Sequence, residues 1–242
     1  MGRYSFNKNI FDEIDTEEKA YWLGFLWSDG TVVKRVRNEN NIEYAFKIDL
    51  MVEDIEHIQK LKSFLESTHP IKVYKSKGFN GKPREMARLH ISNRHLGQTL
   101  YHKYGLIPHR SSFSKTRELI PNHLFKHFIR GVLDADGCLV ISNVELYKNS
   151  EHKTYTREVL KLAVNFSTYE EVVKEIQLHL HSQSVVHSIN KTHKRHENGD
   201  AECVALRYSG NQQCKRIATY LYEDAKVFLQ RKYDKYLEFL TV

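Results

Sequence analysis

Two ten-residue segments decide how this chain is organised. They are Tyr21–Gly30, which reads YWLGFLWSDG, and Phe128–Gly137, which reads FIRGVLDADG. Aligned without a gap, both have a glycine at the fourth position, an apolar pair directly after it and an Asp-Gly pair at the end. They lie just under half the chain apart, and this spacing predicts an internal duplication.

The residues that follow each segment repeat in the same order. In the first half Phe46, Ile48 and Leu50 alternate with Lys47 and Asp49, which predicts a strand with one buried face. The apolar positions of the corresponding strand in the second half are Leu160, Leu162, Val164 and Phe166. A helix-spaced apolar stripe comes next in each half, formed by Ile55, Ile58, Leu61 and Leu65, and by Val172, Val173, Ile176 and Leu180.

Two further strands complete each half before a last helix. They are predicted at about Ile71–Ser76 and Ala87–Ser92, and again at about Val185–Lys191 and Cys203–Ser209. The fold class is therefore α+β, with two αββαββα halves that each contain an antiparallel sheet. We place the first half at residues 1–105, a polar linker at 106–121 and the second half at 122–242.

Composition narrows the functional class. The 242 residues include 37 Lys and Arg against 30 Asp and Glu, and the resulting net charge of +7 favours an anionic partner such as nucleic acid. There is no apolar run of the roughly 18 residues that a membrane helix needs, so we expect no membrane span. Because the first residues lack an apolar signal core, we expect an intracellular protein. The three cysteines indicate neither a disulfide framework nor a metal knuckle.

The aspartates Asp29 and Asp136 are the acidic residues that both segments share. Each follows an apolar helical run and precedes a glycine, the usual residue at a helix C-terminus. A carboxylate there lies beside outward-pointing carbonyl oxygens, and a divalent cation can bind to both kinds of oxygen. The preceding residues, Ser28 and Ala135, are therefore also candidate metal ligands. The alternative interpretation is an ordinary capped turn, which two copies in matching halves make less favourable.

The glycines Gly24 and Gly131 lie in the middle of these predicted helices, where glycine costs about 1 kcal/mol relative to alanine. The same cost at the same place in both copies predicts that the two helix backbones pack closely together. Side-by-side packing would bring Asp29 and Asp136 together at one end. Two carboxylates with hard metal ions in a basic protein suit phosphodiester hydrolysis.

The two segments resemble the paired motifs of the LAGLIDADG homing endonucleases, closely in the second copy and more loosely in the first. The segments Tyr104–Ser111 (YGLIPHRS) and Leu229–Tyr236 (LQRKYDKY) also resemble parts of such proteins. The resemblance implies a monomer with a central two-helix interface and a curved sheet in each half. It also implies that Asp29 and Asp136 bind Mg²⁺ and that the enzyme makes double-strand breaks with short 3′ overhangs. Mn²⁺ should substitute, and Ca²⁺ should support binding with little cleavage.

The resemblance further implies basic residues that order the hydrolytic water, for which Arg110 and Lys232 are our candidates. Sequence recognition is expected on the open sheet faces, because a β-ribbon fits the DNA major groove. The candidate DNA-binding residues are those on the polar strand faces and in a basic turn: Arg35, Arg37, Lys47, Asp49, Arg88, His90, Lys161, Asn165, Lys194, Arg195 and Arg207. Because the halves differ at most of these positions, the target should be long and asymmetric.

Two other functions remain open from the sequence. The same fold supports RNA-binding maturases that assist intron splicing, and a DNA-binding regulator without catalysis is a third possibility; the presence of both aspartates favours cleavage. We expect the protein wherever its host DNA is, in the cytoplasm or nucleoid of a bacterium or phage host, or in an organelle.

Overall fold

The computed structural model describes residues 4–38, 41–77, 81–107, 113–150, 153–194 and 203–242. It forms two compact units, residues 1–135 and residues 136–242. The helices are α1 (Glu17–Asp29), α2 (Ile55–Phe64), α3 (Arg94–Gln98), α4 (Ser114–Glu118), α5 (Phe125–Asp136), α6 (Glu170–Ser182), α7 (Asn211–Tyr222) and α8 (Gln230–Thr241). The strands are β1 (Gly30–Asn38), β2 (Asn41–Met51), β3 (Lys72–Lys77), β4 (Pro83–Ser92), β5 (Cys138–Ser150), β6 (Lys153–Tyr169), β7 (Thr192–Lys194) and β8 (Cys203–Ser209).

The predicted fold class is confirmed, because α1 to α3 and α5 to α7 both give the element order αββαββα. The sheet of the first unit is antiparallel with strand order β1-β2-β4-β3. Phe46 and Ile48 on β2 and Leu89 on β4 are buried on one face, where α2 contributes Ile58 and Leu61. The period-two alternation seen in the sequence therefore gives one buried face and one open face.

The sheet of the second unit repeats this plan with strand order β5-β6-β8-β7. Its buried face includes Leu162, Val164 and Phe166, as predicted. The alternation also predicts Leu160 on this face, but Leu160 is 47% exposed, and among the residues of β6 whose burial is described the first buried one is Leu162. The strand predicted at Val185–Lys191 is also wrong. Val185 and Val186 are buried outside any strand, and β7 covers only Thr192–Lys194.

Helix α1 is buried along most of its length. The side chain of Thr16 caps its N-terminus by accepting a hydrogen bond from the Lys19 backbone N–H, and every residue from Ala20 to Trp27 is buried. A helix that is apolar on all sides belongs inside a protein rather than on its surface. Among the described residues, no helix is long and apolar enough to cross a membrane.

The mid-helix glycines allow α1 and α5 to approach each other closely. A Cβ atom added to Gly24 would lie 2.1 Å from the backbone oxygen of Phe128, and one added to Gly131 would lie 2.2 Å from the backbone oxygen of Tyr21. Real Cβ atoms do not approach backbone oxygens so closely, so only glycine fits at either place. This packing, predicted from the repeated glycine, also explains why α5 groups with the first unit up to residue 135.

The segment that we interpreted as a polar linker includes buried apolar residues in its described part. Leu106, Phe113 and Ile120 are buried, and α4 lies between the last two. Trp27 on α1 donates a hydrogen bond from its indole Nε1 to the Tyr104 carbonyl oxygen, at 2.8 Å. These contacts hold the segment against the first unit, because its few apolar residues bury their side chains.

Candidate metal-binding carboxylates and nucleic-acid interface

Asp29 is the last residue of α1, and β1 begins at the next residue. The chain turns there because Gly30 has an extended backbone and its N–H donates to the Leu26 carbonyl oxygen. Asp29 is half-buried at this helix end. Asp136 is the last residue of α5, one residue before β5, and it is exposed. Each shared aspartate therefore lies where a motif helix passes into the first strand of a sheet.

The groups around Asp29 fit a hard divalent cation. The hydroxyl oxygen of Ser28 is buried and has no hydrogen-bond partner among the residues that the structure describes. A buried hydroxyl in that state costs free energy unless a ligand satisfies it. The oxygen donors available here are this hydroxyl, the Asp29 carboxylate and the carbonyl groups of the last turn of α1. They are the type that Mg²⁺ prefers, and Ala135 precedes Asp136 in the corresponding place.

Among the described residues, neither aspartate lies in a complete set of metal-ligating side chains. In the part of the chain that the structure describes, no group of three or more His, Cys, Asp and Glu side chains is placed to hold a metal ion. Magnesium is commonly bound through one or two carboxylates together with the phosphate oxygens of the substrate. The residues present fit that mode of binding, in which a nucleic acid supplies the remaining ligands.

Lys232 lies beside the second aspartate. Its side chain on α8 is buried, and its ammonium group donates a hydrogen bond to the carbonyl oxygen of Gly137, the residue directly after Asp136. Buried lysines are rare unless they are paired, so this contact fixes a positive charge close to the end of α5. The other basic candidate, Arg110, lies outside the described residues.

The open face of the first sheet carries the predicted basic residues. In the strand register Lys47 pairs with His90 and Asp49 pairs with Arg88, while the residues between them are buried. Arg35 pairs with Glu43, and Arg37 forms an ion pair with the same glutamate at 3.1 Å. The predicted orientation of these side chains is thus correct.

This face is strongly cationic. Partial burial and the nearby charges of Arg88, Lys72, Arg35 and Lys47 lower the pKa of His90 below its usual value. A cleft of about 390 Å³ opens on the same face, and its lining includes Arg35, Glu43, His90 and Arg94. Positive charge around an open cleft attracts polyanions.

Asp49, Tyr74 and Arg88 form a hydrogen-bonded cluster on this face that sequence reasoning missed. Arg88 donates from Nε to Asp49 Oδ1 at 2.5 Å and from Nη2 to Oδ2 at 3.0 Å. The hydroxyl of Tyr74 donates to Asp49 Oδ1 at 2.9 Å. The hydrogen bonding that Arg88 donates to the Asp49 carboxylate raises the pKa of Arg88. The alternation of side chains along β3 indicates that Tyr74 shares the face of Lys72, and this sequence pattern could have identified Tyr74.

Among the described side chains, the open face of the second sheet carries fewer charged groups. Arg207 is exposed and pairs with Asn165, and Lys161 is exposed and pairs with Ser142. Lys194 lies on β7 opposite Val204, and the neighbouring candidate Arg195 falls outside the described residues. The two sheets therefore share a backbone plan but present different polar groups.

Buried polar residues on α5 form a second set that the sequence did not reveal. Tyr21 donates to Asp134 Oδ2 at 2.7 Å and lies 3.0 Å from His57 Nε2. Arg130 donates to Glu17 Oε1 at 2.7 Å, with its side chain only 1% exposed. Charges buried to this extent need partners, so these contacts fix how α5 packs on α1.

Solved structures of LAGLIDADG homing endonucleases share the fold of this chain. One described as meganuclease I-SmaMI bound to uncleaveable DNA has a TM-score of 0.58 and 12% identity, with 93% of this chain and 90% of that chain covered. LAGLIDADG meganuclease I-AabMI bound to uncleaved DNA has a TM-score of 0.55 and 13% identity, covering 91% and 88%. The homing endonuclease I-GzeII in complex with its DNA target has a TM-score of 0.55 and 11% identity, covering 92% and 88%.

At these identities the likeness establishes the fold over nearly the whole chain. No protein-family model and no curated protein matches the sequence. The chain therefore has the fold of LAGLIDADG homing endonucleases.

Proposed function

We propose that this protein is a site-specific DNA endonuclease of the LAGLIDADG type that hydrolyses phosphodiester bonds with the help of Mg²⁺. The observation that carries the proposal is the repeated ending of a buried, glycine-packed helix in an aspartate, at Asp29 and at Asp136. Both helices lead directly into a sheet with an open polar face. The solved structures of the same fold, described as bound to DNA, support this direction.

Asp29 and Asp136 each serve one DNA strand in this proposal. A carboxylate at a helix C-terminus is unfavourable by itself, because the helix dipole is negative there. A divalent cation held by Asp29 or Asp136 would remove that repulsion, and the chemistry that it would supply is a polarised water and neutralisation of charge on the phosphate. Ser28 and Ala135 complete the oxygen-rich surroundings of the two carboxylates. The product is a double-strand break with short 3′ overhangs, and Mn²⁺ substitutes for Mg²⁺.

Lys232 orders the hydrolytic water or stabilises negative charge near Asp136. Its buried ammonium donates a hydrogen bond to the carbonyl oxygen of Gly137, which follows Asp136 in the chain, and this contact keeps the positive charge close to the end of α5. Arg110 is proposed for the same role in the first half, on the sequence resemblance.

The sheet faces bind the DNA. Arg35, Lys47, Arg88 and His90 on the first sheet, and Arg207 on the second, supply donors for base edges and phosphates. The faces differ from each other, so the target is asymmetric. The protein acts as a monomer wherever its host DNA is located. An RNA-binding maturase is the second candidate, since the same basic faces suit intron RNA.

The test begins with DNA binding. Purified protein is incubated in Ca²⁺ with a pool of randomised duplexes, bound duplexes are sequenced, and the selected duplex is then exposed to Mg²⁺. We expect the wild-type protein to select one long asymmetric sequence and to cut it in Mg²⁺ with little cutting in Ca²⁺. The double variant Asp29→Asn/Asp136→Asn should bind the same duplex without cutting it.

Cutting by the double variant at the wild-type rate would overturn the assignment of the aspartates. Absence of any selected duplex, together with tight binding to a folded intron RNA, would favour the maturase. Selection of a duplex that is never cut in Mg²⁺ or Mn²⁺ would favour a DNA-binding regulator.

A further inference from the structure

We propose that Asp49 and Tyr74 are positioning residues that hold the Arg88 guanidinium in place to recognise one guanine of the target. This inference rests on the proposed DNA-binding function, and it adds a base specificity to one cluster on the first sheet. It assigns different roles to residues that share one polar strand face. Arg88 contacts the base, whereas Asp49 orients the arginine.

Asp49 and Tyr74 together restrict the Arg88 side chain. Asp49 holds Arg88 through two parallel hydrogen bonds, from Nε at 2.5 Å and from Nη2 at 3.0 Å. Tyr74 adds a third contact, since its hydroxyl accepts from Nη2 at 2.8 Å while donating to Asp49 at 2.9 Å. The guanidinium carbon also lies 4.6 Å from the centroid of the Tyr74 ring. The paired geometry between guanidinium and carboxylate sets both the direction and the plane of the arginine head.

The cluster is partly buried but remains open to a ligand. The side chains of Arg88 and Asp49 are 35% and 25% exposed. A free arginine side chain loses much rotational freedom when it binds a base, and this loss weakens recognition. Because Asp49 and Tyr74 already restrict Arg88, much of that loss occurs on folding rather than on binding.

The remaining donors of Arg88 define what it can recognise. Nε and Nη2 are both engaged within the cluster, and among the described residues Nη1 has no hydrogen-bond acceptor. Nη1 donates hydrogen bonds and cannot accept them, so the group that it recognises must be a hydrogen-bond acceptor. In the major groove guanine presents the acceptors N7 and O6, whereas adenine presents an amino donor beside its N7. A guanine therefore fits the oriented arginine, and an adenine opposes it.

Asp49 has little capacity left to act as a base reader itself. Its Oδ1 accepts from both Arg88 and Tyr74, and its Oδ2 accepts from Arg88. A carboxylate facing the phosphate backbone without a cationic partner would repel DNA. Lys72, which pairs with Arg88 in the strand register, keeps the surroundings cationic and favours approach of the DNA to the cluster.

The second sheet provides an internal control. Arg88 lies four residues before Ser92, the end of β4, and Ala205 lies four residues before Ser209, the end of β8. Their partners in the register are Asp49 and Ser167. The second sheet therefore lacks the charged pair at the same register position. Arg207 lies two residues further along β8, and its register partner is Asn165 rather than an aspartate.

The experiment compares base preferences at every position of the bound duplex. Wild type, Arg88→Ala, Asp49→Ala, Tyr74→Phe and the control Arg207→Ala are each incubated with the randomised duplex pool in Ca²⁺, and the bound duplexes are sequenced. We expect Arg88→Ala to lower the preference for guanine at one base pair at least about fivefold. Asp49→Ala should lower it at the same base pair, and Tyr74→Phe should lower it less. Arg207→Ala should leave that base pair unchanged and alter another.

Several results would overturn the inference. Uniform loss of binding across all sequences in Arg88→Ala would mean that the arginine contacts a phosphate. Unchanged guanine preference in Asp49→Ala would mean that Asp49 does not position Arg88, and circular dichroism of each variant shows whether it has folded. A wild-type protein that shows no sequence preference would overturn the proposed function and this inference together. A preferred sequence that depends on none of these three residues would overturn the inference alone.

Discussion

The first sheet places Arg88 between Asp49 and Tyr74, whereas the second sheet has Ala205 and Ser167 at the equivalent register positions. Both sheets have the same antiparallel strand order and the same buried alternation. The backbone plan has therefore been kept in both halves, while the polar faces have diverged. A protein that bound a palindrome would need similar faces, so this divergence supports the proposed asymmetric target.

The two motif helices show the same contrast. Gly24 and Gly131 occupy the same position and make equivalent backbone contacts. Around them α1 is apolar, with Leu23 and Trp27, whereas α5 has Arg130 and Asp134 at the corresponding positions. The glycines maintain the packing that both copies need, and the charged residues of α5 pair with Glu17 and Tyr21 on α1.

Replacing a charged residue of α5 should affect stability far more than replacing its apolar equivalent in α1. We expect Arg130→Met to lower the free energy of unfolding by about 3–5 kcal/mol, because Glu17 then loses its buried partner. The matched change Leu23→Met, which keeps volume and polarity, should cost less than about 1.5 kcal/mol. Urea denaturation followed by circular dichroism measures both. Equal effects of the two substitutions would contradict the contrast between the helices.

The shared glycines should be equally sensitive to substitution. Gly24→Ala and Gly131→Ala each place a Cβ against a backbone oxygen, so we expect each to destabilise the protein by about 1–3 kcal/mol. The exposed α1 residue Glu18 gives the control Glu18→Ala, which should change stability by less than about 0.5 kcal/mol. Thermal unfolding of the three variants tests this. A neutral Gly24→Ala beside a destabilising Gly131→Ala would break the equivalence of the helices.

Building the Asp49–Arg88 charged pair into the second sheet should make the two open faces more alike. The double variant Ser167→Asp/Ala205→Arg builds the charged pair at the equivalent register position. We expect a new guanine preference of about fivefold at one base pair, since a good arginine–guanine contact contributes about 1 kcal/mol or more. Ser167→Asp alone should only weaken binding. Sequencing of bound duplexes measures this, and an unchanged preference in the double variant would show that the register equivalence does not extend to the DNA.

The smallest effect should be a pH dependence that comes from the first sheet. His90 has a lowered pKa in the free protein because of burial and its cationic neighbours. Approaching phosphates oppose those charges and raise its pKa, so DNA binding takes up a proton and tightens as the pH falls below the usual histidine value of about 6.5. Affinity should change by less than tenfold per pH unit.

Titration of binding from pH 7.5 to 5.5 with wild type and His90→Gln isolates this contribution, and His123→Gln serves as a control at another exposed histidine. A pH dependence that survives in His90→Gln but disappears in His123→Gln would refute the assignment.

Sequence patterns predicted those features that depend on local periodicity. The alternation of Phe46, Ile48 and Leu50 gave the correct buried face, and the glycine at Gly24 gave the close helix packing. The strand around Val185 was predicted wrongly because two buried valines do not distinguish a strand from a packed loop. The contacts of Tyr74 with Asp49, of Asp134 with Tyr21 and of Lys232 with Gly137 join distant parts of the chain. No local pattern specifies such contacts, since they depend on tertiary packing.

The most direct test of the central claim is strand-resolved cleavage of the selected duplex in Mg²⁺. Each strand carries its own label, and wild type is compared with Asp29→Asn, Asp136→Asn and the double variant. We predict that wild type cuts both strands, that each single variant loses efficient double-strand cleavage, and that the double variant cuts neither strand while still binding the duplex. Double-strand cleavage at the wild-type rate by either single variant would contradict the proposal that the two motif aspartates perform the reaction.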